Sequence, residues 1–206
     1  MVAVDSLSAR AEATRHKLLE AAAAELIETG DVEVAAVARR AGVSVGLPYR
    51  YFETRSGLMS ALLGDFYDRL VADTVLTGFE GETWLDRWRA QVVTWVERVY
   101  RDPLAPVVLG RMVGDAQVAA MEARCFSQVV ELGVKHVAAG QAEGALAPGR
   151  DPELLASGVV GGMRAIFTVV LERDPRPALD EVVREVWAFT VAALGAAPQA
   201  EREPRP

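Results

Sequence analysis

The stretch VAAVARRAGVSVGLPYRYFETR, residues 34–55, constrains the fold of this chain more than any other. Its first half repeats apolar residues at helical spacing, which predicts a short helix with one buried face. Gly42 follows that helix, where a left-handed cap needs no Cβ atom, and the hydroxyl of Ser44 stands where an N-cap would accept from the next turn. A helix, a glycine-containing turn and a second short helix are typical of a helix-turn-helix unit, whose second helix enters the major groove of DNA.

The same stretch resembles the DNA-binding signature of the tetracycline-repressor (TetR) family of transcriptional regulators. The matching residues are Ala38, Ala41, Gly42, Val43, Ser44, Gly46, Tyr49, Arg50, Tyr51, Phe52, Arg55 and Leu58. The resemblance covers roughly residues 14–62, under a third of the chain. It implies an all-α fold, in which an N-terminal three-helix DNA-binding head precedes a C-terminal helical domain for ligand binding and dimerisation.

Three residues depart from the family pattern. Val34 stands where the family often has a threonine that caps the second helix, and Arg55 replaces the usual lysine with the charge kept. Pro48 replaces a common leucine or isoleucine in the recognition helix. Because proline is tolerated only near a helix start, we expect barely more than one turn of this helix before Pro48.

Charge also singles out this stretch. The chain carries a net charge of −7, which argues against a nucleic-acid partner, but residues 39–55 hold four arginines against one glutamate, a local net of about +3. The candidate DNA-binding residues are Arg15, Arg40, Ser44, Val45, Gly46, Leu47, Tyr49, Arg50, Tyr51 and Arg55. The resemblance puts Tyr49 and Arg55 on phosphates. Arg50 could bind a guanine edge or a phosphate, and Arg15 a phosphate or only solvent.

The rest of the chain predicts helices with few breaks. We expect a disordered arm over residues 1–12, the head over 13–60, a helical domain over 61–195, and a disordered, proline-rich tail over 196–206. Two glycines in TGFEGE, residues 77–82, mark a loop. No alternating pattern indicates a strand.

The last two predicted helices carry more apolar surface than a monomer would expose. We therefore predict a homodimer, as the family resemblance also implies. The alternative is a monomer core. The expected interface residues are Leu155, Val159, Gly162, Ile166, Val183, Trp187, Thr190 and Leu194. Gly158 and Gly162 have the spacing of a membrane-helix contact, but nearby charges such as Arg164 argue against a membrane span.

Aromatic and sulfur-containing residues of the helical domain could enclose an apolar pocket for a small-molecule effector. The candidates are Trp88, Trp95, Met112, Met121, Cys125, Phe126, Met163 and Phe167. For any one of them, ordinary core packing is the alternative. That some line a pocket follows from the resemblance, because the family's helical domain generally binds a small molecule.

Several classes of protein find no support in the sequence. It has no metal-ligand spacing, nucleophile elbow or phosphate loop, so we predict no metal, no cofactor and no enzymatic activity. The N-terminus does not resemble a signal peptide and the single Cys125 suits a reducing compartment, so we expect a cytoplasmic protein. The prediction is a ligand-responsive repressor that binds a palindromic operator in double-stranded DNA. The alternative is a helical adaptor that keeps the head but does not bind DNA.

Overall fold

The chain is helical throughout the part that the structure describes. The computed structural model describes residues 2–76, 78–110 and 116–196, with side chains from residue 9 onwards. Over these residues there is no strand, which confirms the predicted all-α class. The helices are α1 (Val2–Thr29), α2 (Val34–Arg40), α3 (Gly46–Phe52), α4 (Arg55–Thr74), α5 (Trp84–Arg101), α6 (Ala105–Leu109), α7 (Ala116–Ala142), α8 (Pro152–Glu172) and α9 (Leu179–Leu194).

The described chain divides into two compact units. The first comprises Met1–Tyr67 and Arg111–Cys125, and the second comprises Asp68–Gly110 and Phe126–Pro206. The domain boundary predicted after residue 60 therefore falls within α4, and the first part of α7 groups with the head. The predicted tail begins at Ala196, which is buried, and residues 197–206 lie outside the described part.

The first helix is longer than the sequence predicted. It begins at Val2, so residues 2–12 form the start of α1 rather than the expected disordered arm. The physical reason is composition, because no glycine or proline interrupts residues 2–29 and alanine, the strongest helix former, recurs through them. Gly30 follows the helix with a φ of +76°, a left-handed conformation that favours glycine.

The head forms its core from one face of each of its first helices. Leu18, Ala22 and Leu26 from α1 are buried, together with Val37 and Ala38 from α2, and α2 packs on both α1 and α3. Leu18, Ala22 and Leu26 recur at four-residue spacing, so α1 presents a single apolar stripe inward. The head thereby holds α3 by its inner face and leaves the other face to solvent.

The second unit is built on α5, α6, α8 and α9, with α9 packed against both α5 and α8, and α6 against α8. Thr83 begins α5 with a capping box, in which its hydroxyl accepts from the Asp86 N–H and the Asp86 carboxylate accepts from the Thr83 N–H. The carboxylate of Asp151 caps α8 in a similar way. These local signals fix where the helices of the second unit begin.

Candidate DNA-binding surface

The turn between α2 and α3 has the geometry that its glycine predicted. Gly42 adopts a φ of +64°, its N–H donates to the Arg39 carbonyl at 3.1 Å, and the Val43 N–H donates to the Ala38 carbonyl at 3.0 Å. This pair of bonds is a Schellman motif, which closes a helix and turns the chain sharply. Ser44 does not cap α3 through its hydroxyl as predicted. Its carbonyl accepts from the Leu47 N–H instead, since Val45 already has helical dihedral angles.

The recognition helix α3 separates into a buried face and an exposed face. Pro48 and Phe52 are buried, whereas 53% of Val45 and 48% of Tyr49 remain exposed. The exposed face comprises Ser44, Val45, Gly46, Tyr49 and Arg50. Exposed apolar and aromatic side chains beside an arginine are suited to base edges and phosphates. Only Gly46 and Leu47 of α3 precede Pro48, which is less than the one turn predicted and puts the proline in the first turn of the helix, where it is tolerated.

Three other candidate DNA-binding residues make contacts within the head. Leu47 and Tyr51 are half-buried, and the ring of Tyr51 lies 6.2 Å from that of Phe52. The guanidinium of Arg15 lies 5.9 Å from the centre of the Phe52 ring, within range of a cation–π contact. Arg15 is exposed, so this contact holds it beside α3 without removing it from solvent.

Arg40, the candidate on α2, is turned towards α1. Its guanidinium donates to the carboxylates of Glu25, at 3.1 Å, and Glu28. These hydrogen bonds, the one to Glu28 foremost, raise the pKa of Arg40 above its ordinary value. Its neighbour Arg39 is exposed and has no ion-pair partner among the residues that the structure describes. The DNA contact predicted for Arg40 stays a prediction, and the sequence could not reveal this difference between the two arginines, because it depends on the position of α1.

Arg55, at the start of α4, is also engaged within the protein. Its Nε–H donates to the Val32 carbonyl at 2.8 Å, and one of its terminal guanidinium nitrogens donates to the Asp31 carboxylate. The pKa of Asp31 is held below its ordinary value by the hydrogen bond from the Val32 N–H, and further by Arg55. Within the protein Arg55 joins α4 to the α1–α2 connection, and the phosphate contact that the resemblance implied stays a prediction.

Comparison with known proteins agrees with this head. The sequence profile of the family described as Bacterial regulatory proteins, tetR family, matches residues 18–62, which contain α2, α3 and the turn between them. Residues 18–62 therefore form a tetR-type head. Members of this family are transcriptional regulators that bind DNA, and this chain has their fold.

Solved TetR-type structures resemble the chain over most of its length. SmeT in its complex with triclosan has a TM-score of 0.71 and 20% identity, covering 94% of this chain and 99% of that one. TylP from Streptomyces fradiae has a TM-score of 0.72 and 22% identity, with coverages of 92% and 89%. The fatty acid degradation regulator FadR from Bacillus halodurans has a TM-score of 0.76 and 18% identity, covering 85% of this chain and 93% of that one. At these identities the likeness concerns the fold, and no curated protein sequence matches the chain.

The effector pocket that TetR resemblance implied stays a prediction. In the second unit, Trp95 and Phe167 pack edge to face with ring centres 4.9 Å apart, and Met163 is buried. The Phe126 ring lies 3.9 Å from where a Cβ atom on Gly161 would stand. Met121 and Cys125 belong to the first unit, and Met112 lies outside the described residues. Trp88 differs from the others, because its indole N–H is buried and has no hydrogen-bond partner among the residues that the structure describes.

The predicted interface residues fall into two groups. Four are buried within the protomer and correct the prediction, since a buried side chain cannot reach a partner: Leu155, Val159, Thr190 and Leu194. Ile166, Val183 and Trp187 are half-buried, and Gly162 packs so closely on Phe189 that a Cβ atom would lie 2.2 Å from its ring. The error has a simple source, because α8 is apolar on most sides and its sequence does not reveal which side faces inward.

The outward side of α8 is apolar as well. Leu154 is 72% exposed and Val169 51% exposed, and the exposed Gly158 and Ala165 lie between them on the same side. A groove of about 610 Å³ adjoins this side between α8 and α9, with apolar walls that include Ile166 and Phe189. Of the described helices, α8 alone is long and apolar enough to cross a membrane, although length and composition are weak evidence for that.

Two glycines of the turn provide a matched pair of variants. Gly42→Ala should lower the free energy of unfolding by about 1–2 kcal/mol, because Gly42 has a positive φ that alanine adopts at a cost. Gly46→Ala should fold normally, because a Cβ atom there meets no other atom within 4 Å, yet bind DNA more weakly by holding the backbone away. Thermal melting and a mobility-shift titration measure the two effects. Equal stability of both variants would contradict this assignment of strain to Gly42.

His136 predicts a pH dependence of stability in the second unit. Burial beside Trp88 lowers the pKa of its imidazole below the ordinary value of 6.5. The unfolded chain therefore binds more protons than the folded protein between the two pKa values, so the free energy of unfolding should fall as the pH drops below about 6.5. Urea unfolding at about pH 7.5 and 5.5 tests this. His136→Gln should flatten the dependence and His16→Gln, at an exposed position, should not.

Proposed function

We propose that the chain is a homodimeric, ligand-responsive transcriptional repressor, which a small and largely apolar effector releases from a palindromic operator. The observation that carries the DNA-binding part is the exposed face of α3, where Val45, Tyr49 and Arg50 surround a glycine, Gly46. Each head enters the major groove of one half-site, and phosphate contacts fix its register while side chains of α3 meet the base edges. A cytoplasmic location is part of this proposal.

The dimer is supported by α8. An apolar outward side that contains Leu154 and Val169 is costly to leave in water, and a copy of the same helix supplies a matching apolar surface. Related by a two-fold axis, two heads read the two halves of a palindrome. Sedimentation equilibrium measures the assembly directly, and Leu154→Glu together with Val169→Glu should shift it to monomer while the isolated fold stays helical.

The effector is supported by two observations. SmeT, which shares the fold, binds triclosan in its solved complex. In this chain the buried indole N–H of Trp88 lacks an acceptor, so it can donate to an oxygen or nitrogen atom of an otherwise apolar molecule. An effector that binds one conformation of the dimer better than the other shifts the population, and the affinity for the operator changes by the same factor.

The experiment that tests the function is selection of bound sequences from a random pool of double-stranded DNA at moderate salt. A recovered palindrome supports the dimeric regulator and leads to the genes beside its genomic copies. Failure of a folded, dimeric protein to enrich any sequence, and to bind DNA at low salt, would overturn the proposal. That outcome would favour the adaptor, for which the net charge of −7 and the uncapped start of α2 at Val34 are the arguments.

A further inference from the structure

One pair of ion pairs joins α2 to α1. Arg39 and Arg40 are consecutive on a helix, so their side chains leave the axis about 100° apart and cannot serve the same surface. Arg40 faces α1, where Glu25 and Glu28 stand three residues apart and hence on one side of that helix. Its guanidinium bridges both carboxylates. Arg39 is left facing solvent.

Glu25 explains why Arg40 is needed there. Its side chain is only 11% exposed, and Arg40 is the cation that pairs with it. A carboxylate removed from water without a partner is costly, so the head is less stable when this guanidinium is removed. A phosphate that drew Arg40 away would leave Glu25 uncompensated beneath it.

The second pair of contacts joins α4 to the α1–α2 connection. Arg55 donates to the carbonyl of Val32, a fully buried residue, and to the carboxylate of Asp31. Asp31 is itself fixed, because one of its carboxylate oxygens also accepts from the Val32 N–H at 2.8 Å. The guanidinium thus binds two adjacent residues of the α1–α2 connection and fastens the start of α4 to it.

We propose that Arg40 and Arg55 are positioning residues that fasten α2 and α4 to the rest of the head, and that the phosphate contact on α2 is made by Arg39. The inference rests on the proposed DNA-binding function and identifies which arginines contact DNA. Of the four arginines between residues 39 and 55, Arg39 and Arg50 then meet DNA. The other two are neutralised by Glu25, Glu28 and Asp31.

The salt dependence of DNA binding separates the two roles. Each phosphate contact on duplex DNA contributes about −0.9 to the slope of log K against log salt concentration. Replacement of a phosphate-binding arginine should therefore reduce the magnitude of the slope by about 0.9 and leave the melting temperature unchanged. Replacement of a positioning arginine should lower the melting temperature and leave the slope unchanged.

The experiment uses fluorescence anisotropy with a labelled duplex of random sequence over a range of salt concentrations, together with thermal melting of each full-length variant. Arg39→Ala should reduce the slope by about 0.9 and melt like the unsubstituted protein. Arg40→Ala and Arg55→Ala should melt at lower temperature and keep the slope. The double variant Glu25→Gln with Arg40→Gln should regain melting temperature relative to Arg40→Ala, because no buried carboxylate is left unpaired, and should also keep the slope.

Several results would overturn the assignment. They are an unchanged slope for Arg39→Ala, or a slope reduced by one contact in Arg40→Ala, Arg55→Ala or the double variant. Should Arg40→Ala fail to fold, the double variant decides the role of Arg40. If the unsubstituted protein shows no salt-dependent binding at all, the proposed function fails first and the assignment of Arg39 falls with it.

Discussion

Replacement of both Tyr49 and Arg50 by alanine is expected to weaken operator binding by about 30-fold or more while the melting temperature stays unchanged. Both side chains are exposed on α3 and neither has an ion-pair partner in the described head. If each makes one contact worth about 1–3 kcal/mol, their joint loss is at least about 2 kcal/mol, and a tenfold change in affinity corresponds to about 1.4 kcal/mol. A mobility-shift titration with the selected palindrome measures the loss.

The control for this pair is Ile27→Ala. Ile27 is an exposed apolar residue of the same head, 41% exposed on α1, and it lies outside the exposed face of α3. Its replacement should leave the affinity within a factor of two or so of the unsubstituted protein, since surface substitutions away from special features change little. Equal affinity of the Tyr49 and Arg50 double variant and this control would remove α3 as the DNA-reading helix.

Replacement of Phe167 by alanine is expected to lower the free energy of unfolding by about 3–5 kcal/mol. Phe167 is completely buried in the second unit, and its ring meets Trp95 edge to face. The loss combines the transfer of an aromatic side chain, the cavity left behind and the ring contact, which alone contributes about 0.5–1.5 kcal/mol. Urea unfolding followed by helical circular dichroism measures it.

Two variants bracket this result. Phe167→Leu should lose less than the alanine variant because it fills part of the same volume. Leu76→Ala, at a position that is 68% exposed, should change stability by no more than about 0.5 kcal/mol. A loss below about 1 kcal/mol for Phe167→Ala would mean that the ring does not anchor this core.

The parts of the head that the sequence predicted correctly depend on local chemistry. Gly42 was predicted as a left-handed cap from its position after an apolar helix, and it adopts the positive φ that favours glycine. Pro48 constrained α3 by the steric demands of its own ring. Such features involve atoms a few residues apart, so one sequence is enough to infer them.

The parts that the sequence did not predict depend on contacts between distant residues. The hydrogen bonds of Arg40 and Arg55 within the head were not predicted, because their partners Glu25 and Val32 are 15 and 23 residues away and no local pattern connects them. Thr190 and Leu194 were assigned to an interface, although the same helical spacing suits the core in which the structure buries them. In both cases the residue type is informative, but the sequence does not reveal which neighbour the side chain faces.

The division of α3 into a buried and an exposed face has a consequence for how such a regulator could change its target. The frame of the helix depends on Pro48 and Phe52, whereas Val45, Tyr49 and Arg50 face outward. Substitutions at outward positions typically alter stability by no more than about 0.5 kcal/mol. A duplicated copy of this protein could therefore acquire a new operator through a few changes at these positions, without any repair elsewhere in the fold.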